Sequence, residues 1–559
     1  MHERIMDLLS RLTVEEKISL LRATSPGISR LDIPKYYHGN EALHGVVRPG
    51  RFTVFPQAIG LAATWNPELQ LQVATVISDE ARARWNELDQ GREQKSQFSD
   101  LLTFWSPTVN MARDPRWGRT PETYGEDPYL SGIMGTAFVK GLQGDDDRYL
   151  KIVSTPKHFA ANNEEHNRFV CNPQISEKQL REYYLPAFEA CVKDGKSASI
   201  MSAYNALNDV PCTLNAWLLT KVLRKDWGFK GYVYSDWGAI EMLETFHHTA
   251  ANKAEAAIQA LTAGLDVEAS SECYPELFRL VKEGKLDKSY IDTAVRRVLT
   301  AKFECGLFED PYGDKHAASG GMHSLRSVEL SRQIAEESIV LLKNENNLLP
   351  LDMNKLTSIA VLGPNADQVQ FGDYTWSRDN KDGVTPLQGI KALAGEKIKV
   401  NYALGCSMMS RDTTGIGEAV EAALKSDVAV IFCGSSSASL ARDYSRTNCG
   451  EGFDLSDLSL TGAQGDLIRA VYATGKPVIV VLVSGKPFAI SWEKEHIPAI
   501  IAQWYGGEQE GYAIADVLFG KVNPSGHLTY SFPQSAGHLP VYYNHLPSDK
   551  GFYKRPGSY

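Results

Sequence analysis

No apolar run in this chain reaches the ~18 residues that a bilayer-spanning helix requires, so a helical membrane protein is excluded as a reading. Nor is there a block of Lys and Arg. Net charge is −10, and a mild acidic excess argues against nucleic acid or an anionic membrane as partner, since both need clustered cations. The balance selects no substrate. The eight cysteines (171, 191, 212, 273, 305, 406, 433, 449) form neither a CxxC pair nor a Cys/His set with metal spacing. Most read as small buried hydrophobes, and a disulfide between Cys171 and Cys212 stays open. The start, Met1-His-Glu-Arg-Ile-Met-Asp-Leu-Leu-Ser, has no secretory h-region. A periplasmic or extracellular place is expected if a leader was removed, and a cytoplasmic one otherwise. No internal repeat or low-complexity tract occurs.

What is present is ordinary globular material: 559 residues, 43% hydrophobic and 23% charged, enough for two to four domains at about 150 residues each. Val14 to Leu21 reads as a helix, with Thr13 as N-cap and Glu16 completing a capping box. Strand-like runs then recur at Leu101–Asn110, Ile152–His158, Ala198–Tyr204, Tyr232–Asp236 and Ala263–Glu268. Helical patterns at Glu177–Lys193, Leu214–Asp226 and Ala254–Ala263 separate them. This alternation predicts an α/β domain over residues 1–310. Polar residues close the strands: Asn110, Lys157–His158, Tyr204–Asn205, Asp236 and Asp266. A (β/α)8-type barrel puts its site at those ends, so the pattern favours a barrel over an open sheet, although loops are polar in any fold.

Residues 311–326 lie in a stretch rich in Gly, Asp and Pro and read as a linker. A helix, Ser327–Leu342, begins the second domain, 327–559. Strands are expected near Ser358–Gly363, Asp427–Gly434, Pro477–Ser484 and Ala499–Trp504, with helices near Gly415–Lys425 and Gly462–Thr474. This predicts an open doubly wound sheet. Segment 434–454 is a long polar loop after a strand, and loops of that length in compact domains are commonly functional or disordered.

Three stretches carry candidate chemistry. In Trp227-Gly-Phe-Lys-Gly-Tyr-Val-Tyr-Ser-Asp-Trp237 an apolar strand ends in Asp236 beside Trp237. A strand-end Asp is more often a turn or cap residue, but an aromatic face next to a carboxylate suits a pyranose ring. In Thr155-Pro-Lys-His-Phe-Ala-Ala-Asn-Asn-Glu-Glu-His-Asn-Arg168 polar groups crowd the turn after a strand, where donors can grip hydroxyls or simply face solvent. A metal role for His158 with His166 is weak, because the spacing is eight and no third ligand is evident. Residues 113–127 crowd three arginines with four acids around Pro and Gly, either a surface ion-pair network or a shaped active-site loop.

Together these segments resemble glycoside hydrolase family 3, with its β-xylosidase members nearest. The family's nucleophile pattern Gly-Phe-x-Gly-x-Val-x-Ser-Asp-Trp is matched by residues 228–237. Lys-His-Phe-x-x-Asn-Asn, Arg-Asp-Pro-Arg-x-Gly-Arg with Glu-x-x-x-Glu-Asp-Pro, and Ser-Ala-Tyr-Asn (202–205) are also present, so the resemblance spans almost the whole chain. It implies a barrel followed by an α/β sandwich. It implies Asp236 as nucleophile, Lys157, His158, Arg119 and Arg168 on the sugar's hydroxyls, Tyr204 lining the subsite and Trp237 as a stacking wall. The acid/base implied on a loop of the second domain falls in Cys449-Gly-Glu-Gly-Phe-Asp-Leu-Ser-Asp-Leu, where Glu451 is the choice and Asp443 and Asp454 are fallbacks. Family members often have Asp-Arg where this chain has Asp454-Leu455, and often continue into a fibronectin-like domain, which is expected to be absent from a chain stopping at Tyr559.

Such an enzyme hydrolyses with retention, using two carboxyl groups about 5–5.5 Å apart. One attacks the anomeric carbon while the other protonates the leaving oxygen, so their pKa values must be held apart: cations would lower that of Asp236, and burial or the nucleophile's charge would raise that of Glu451. No metal or organic cofactor is required. His38-Gly-Asn-Glu-Ala-Leu-His-Gly resembles the xyloside-acting members, and Glu41 stands where β-glucosidases carry an Asp. Its longer side chain would fill the space of a hexose hydroxymethyl. The expectation is a β-1,4-xylosidase acting on oligosaccharide or aryl glycoside ends. Alternatives are a β-glucosidase, a dual β-xylosidase/α-L-arabinofuranosidase, or a catalytically inactive carbohydrate-binding protein. A β-N-acetylhexosaminidase is disfavoured because Lys157-His-Phe-Ala-Ala-Asn-Asn lacks that group's Pro-Gly-His-Gly. A homodimer stays open.

Overall fold

The computed structural model describes residues 1–90, 101–309, 321–377, 380–437 and 446–545. The chain is an α/β protein of two compact units. The first comprises Met1–Phe52, Pro67–Asn110 and Ser131–Ser324; the second comprises Thr53–Asn66, Met111–Leu130 and Leu325–Tyr559.

In the first unit, Val14–Ser19 is helical and Thr13 caps it: its side chain accepts from the Glu16 amide, and Glu16 returns the bond. The strand segments are shorter than the apolar runs; Thr24–Ser25 pairs antiparallel with Tyr36–Tyr37 and Ala206–Leu207 with Val210–Pro211, and the others pair in parallel. Thr103–Phe104 pairs with Val153–Ser154, and Ser199–Ser202 pairs with Tyr232–Ser235. Parallel bridges join Thr108 to Lys157, Phe159 to Ser202, Tyr234 to Val267 and Arg22 to Glu268. His38 N–H donates to Ala23 O and Trp105 N–H to Asn40 O, each at 2.8 Å, so the row of neighbours returns to its start. Pro107 and Pro156 interrupt the runs read as single strands, because each lacks the N–H a ladder needs. The expected helix over 177–193 is broken into Glu177–Gln179, a π-turn at Leu180–Tyr184 and Pro186–Lys193. The second helical pattern is a π-helix, Trp217–Asp226, and the third runs Lys253–Ala263. Cys171 and Cys212 are free thiols, so the disulfide left open is corrected; burial pushes the Cys212 thiol up to about 12.

The second unit is built on a six-stranded sheet. Its order is Lys399–Ala403, Ser358–Leu362, Val428–Gly434, Val478–Val483, Ala499–Ala502 and Val340–Asn344, and only the last is antiparallel. Alternate residues feed two cores. Ile359, Val361, Val430, Phe432 and Ile479 belong to one, and Ala360, Leu362, Ile431, Cys433 and Val480 to the other. Four strands match the sequence reading. Val340–Asn344 overlaps the end of the helix expected to Leu342, which instead ends at Ser338. There the indole N–H of Trp504 donates to the Ser338 carbonyl at 2.7 Å, satisfying a helix-end acceptor, and β-branched Ile339 and Val340 follow. The edge strand Lys399–Ala403, largely solvent-facing, was not expected at all.

Strand order reverses between Ser358–Leu362 and Val428–Gly434: from the former the chain goes first to one side, then to the other. In such sheets the crevice beyond the carboxyl ends of those strands is where ligands bind. The loops beginning at Gly363 and Gly434 leave from that point.

Candidate active site

The first unit gathers five of the residues singled out above. Lys157 Nζ lies 2.5 Å from Glu41 Oε1, and both side chains are buried. The next residue, His158, is fixed by Asn110: Oδ1 accepts the His158 amide at 2.8 Å and meets Nδ1 at 3.1 Å, while Nδ2 donates to the His158 carbonyl at 2.9 Å. That leaves His158 Nε2 directed at Asp236, 3.8 Å from Oδ2. Asp236 is only 8% exposed, and its Oδ1 accepts the Trp237 amide at 2.7 Å. This bond places the carboxylate at the mouth of the Tyr232–Ser235 strand. Gly238 makes the turn possible at φ +77, donating to the Ala269 carbonyl at 2.7 Å.

An aromatic wall stands beside the carboxylate. Trp237 is 44% exposed and meets Trp105 edge-on, centroids 6.2 Å apart. Trp105 is held by its indole N–H on the His38 carbonyl at 2.9 Å. A Cβ on Gly39 would lie 1.8 Å from the Trp105 ring, so residue 39 must be glycine for the ring to sit there. Trp105 was missed in the sequence; an aromatic closing an apolar strand was its one signal. Tyr204 and Arg168 come together a little apart: the Arg168 guanidinium lies 5.4 Å from the Tyr204 ring centroid and 5.0 Å from that of Phe169. Arg168 also pairs with Glu165 at 3.1 Å.

The second unit holds Arg119 and Glu451. Arg119 is buried and makes a bidentate pair with Glu122, both bonds 2.7 Å. Its Nη1 is 3.9 Å from Glu451 Oε1. Tyr374, which the sequence did not single out, donates its hydroxyl to Glu451 Oε2 at 2.5 Å. Asp373 accepts the Glu451 amide at 2.6 Å. Of the fallback acids, Asp454 accepts the Gly118 amide at 2.9 Å, an anchoring contact, and Asp443 lies outside the described residues.

A buried carboxylate on an aromatic wall within one unit, and a second held by tyrosine and arginine within the other, are the parts a glycosidase needs. Residues 8–301 match the N-terminal domain of glycosyl hydrolase family 3, and residues 339–557 match its C-terminal domain. The chain belongs to glycosyl hydrolase family 3. It is a glycoside hydrolase. Among family 3 proteins it is 40% identical to a β-xylosidase of Formosa agariphila, over 99% of this chain and 77% of that one. It is 36% identical to a periplasmic β-glucosidase of Salmonella typhimurium, over 99% and 77%. A solved family 3 exo-β-xylosidase, in complex with a xylobiose aziridine probe, superposes with a TM-score of 0.84 at 31% identity, covering 95% of this chain and 68% of that one.

Proposed function

We propose that this family 3 enzyme is a retaining, exo-acting β-1,4-xylosidase that releases xylose from the non-reducing ends of xylo-oligosaccharides. Asp236 attacks the anomeric carbon and the leaving oxygen takes a proton from Glu451. Glu451 then deprotonates water, which releases the sugar from Asp236. Lys157, His158, Arg119 and Arg168 bind hydroxyls, Tyr204 lines the subsite and Trp237 covers the sugar's apolar face.

The observation that carries the substrate choice is the Glu41–Lys157 pair. A glutamate whose Oε1 is fixed 2.5 Å from a buried ammonium cannot swing aside. It fills the space a hexose hydroxymethyl would need and leaves a pentose fitting. The names of the Formosa and solved relatives support the same choice. The name of the Salmonella relative favours a β-glucosidase as the second reading. Comparing kcat/KM on nitrophenyl xyloside and nitrophenyl glucoside decides between them; preference for the glucoside would overturn the xylosidase reading. Nitrophenyl α-L-arabinofuranoside in the same series tests dual activity.

The same proposal reads residues 1–310 as a (β/α)8-type barrel carrying the nucleophile. The support is the row of parallel neighbours from Phe104 to Glu268 and Arg22, which the antiparallel pair of Thr24–Ser25 with Tyr36–Tyr37 carries on through His38 to Asn40 and Trp105. Residues 311–326 are read as linker, though 311–320 lie outside the described residues, and 327–559 as the α/β sandwich carrying Glu451.

A further inference from the structure

Behind Glu451, within the second unit, lies another carboxylate with no assigned part in the reaction. Asp373 is 2% exposed and sits in the loop that follows Ser358–Leu362, at the point where strand order reverses. Its Oδ2 accepts the backbone N–H of Glu451 at 2.6 Å, and its Oδ1 accepts the Ser437 hydroxyl. Ser437 in turn bridges to Cys449, two residues before Glu451. Gly450 is what lets the loop come so close: a Cβ there would lie 2.5 and 2.7 Å from the Asp373 oxygens and 2.3 Å from Ser437 Oγ, at φ +100.

Burying a carboxylate is costly unless hydrogen bonds compensate it, and here the Glu451 amide and the Ser437 hydroxyl supply them. Burial, with repulsion from Glu122 and Glu451, raises Asp373 to about 6, against the opposing bonds from Ser437 and the Glu451 amide. Tyr374, the next residue, donates to Glu451 Oε2, and the Arg119 guanidinium lies 5.8 Å over the Tyr374 ring. One segment therefore grips Glu451 twice, Asp373 on its backbone and Tyr374 on its carboxylate.

We propose that Asp373 is the positioning residue for Glu451, fixing the 449–451 backbone so that the carboxyl group is presented for proton transfer. This rests on Glu451 being the acid/base. A mispositioned acid slows cleavage in proportion to how much the leaving group needs a proton. Asp373→Asn keeps the side chain's shape but turns one acceptor oxygen into a donor.

The test compares kcat/KM on xylobiose, a poor leaving group, with dinitrophenyl xyloside, a good one. Parent, Asp373→Asn, Ser437→Ala and Glu451→Gln are measured in parallel. The expected result is a loss for Asp373→Asn at least about tenfold greater on xylobiose than on the dinitrophenyl substrate, with Ser437→Ala smaller in the same direction. If Asp373→Asn does not fold, Ser437→Ala carries the same comparison. Equal losses on both substrates, or none, while Glu451→Gln shows selective loss, overturn the positioning role alone. Absence of selective loss in Glu451→Gln overturns the reading of Glu451 and this inference with it.

Discussion

Lys157 Nζ and Glu41 Oε1 lie 2.5 Å apart with both side chains buried, and Lys157 is the residue before His158, whose Nε2 faces Asp236. The pair couples the segment that would choose the sugar to the segment that would hold the nucleophile.

Shortening Glu41 tests that coupling. Glu41→Asp keeps the charge but withdraws it by one methylene, opening room for a hydroxymethyl group. The expected outcome is a rise in glucoside over xyloside kcat/KM of about tenfold, within the range one methylene can supply. An unchanged ratio would remove Glu41 from the specificity argument.

Lys157→Met removes one partner of a buried pair and takes the ammonium away from the Glu41 carboxylate. Such a loss costs about 3–5 kcal/mol of stability, far more than an exposed pair would. Denaturant unfolding checks this. The double variant Glu41→Gln with Lys157→Met should recover part of the loss, because the buried carboxylate is removed together with the ammonium.

Tyr374→Phe deletes the donor to Glu451 Oε2. A hydrogen bond to a carboxylate favours its charged form, so losing it makes the proton harder to remove. The alkaline limb of the kcat/KM profile should move to higher pH. A limb that stays put, or moves to lower pH, contradicts the assignment of this contact.

Glu268 gives stability a pH dependence. Burial raises its pKa to about 7, although the Cys273 and Tyr274 amides donate to it. The folded protein therefore binds a proton that the unfolded chain releases near 4.5. Stability from this group is fully present below that value and is lost as pH rises through about 7, by about 3 kcal/mol in all. Glu268→Gln should flatten that part of the curve; an unchanged slope in chemical unfolding between pH 5 and 7.5 would contradict it.

What was legible in the sequence was what local chemistry decides. The Thr13–Glu16 capping box appears as read, and four strands of the second unit end within a few residues of their expected places. Lys157, His158 and Asp236 stood out because each closes an apolar run, and the structure sets Lys157 beside Glu41 and His158 beside Asp236. Asp373 and Tyr374 were not. Their significance comes from strand order, which brings the loop after Leu362 to Ser437 and Glu451, and strand order is not written in local pattern. A Gly-Asp-Tyr stretch in the loop after a central strand was the available signal. The Leu101–Asn110 run misled for the opposite reason: its apolar content is real, but Pro107 cannot donate to a ladder, and the regular strand is only Thr103–Phe104.

Asp236 is the residue proposed to form the bond to the sugar. Incubation with dinitrophenyl 2-deoxy-2-fluoro-xyloside slows both steps and lets the covalent intermediate accumulate, so peptide mass mapping of the inactivated enzyme reads the nucleophile directly. One fluoroxylosyl group per chain is expected, on Asp236, with no labelling of Asp236→Asn. A label on any other residue, or full turnover by Asp236→Asn, would contradict it.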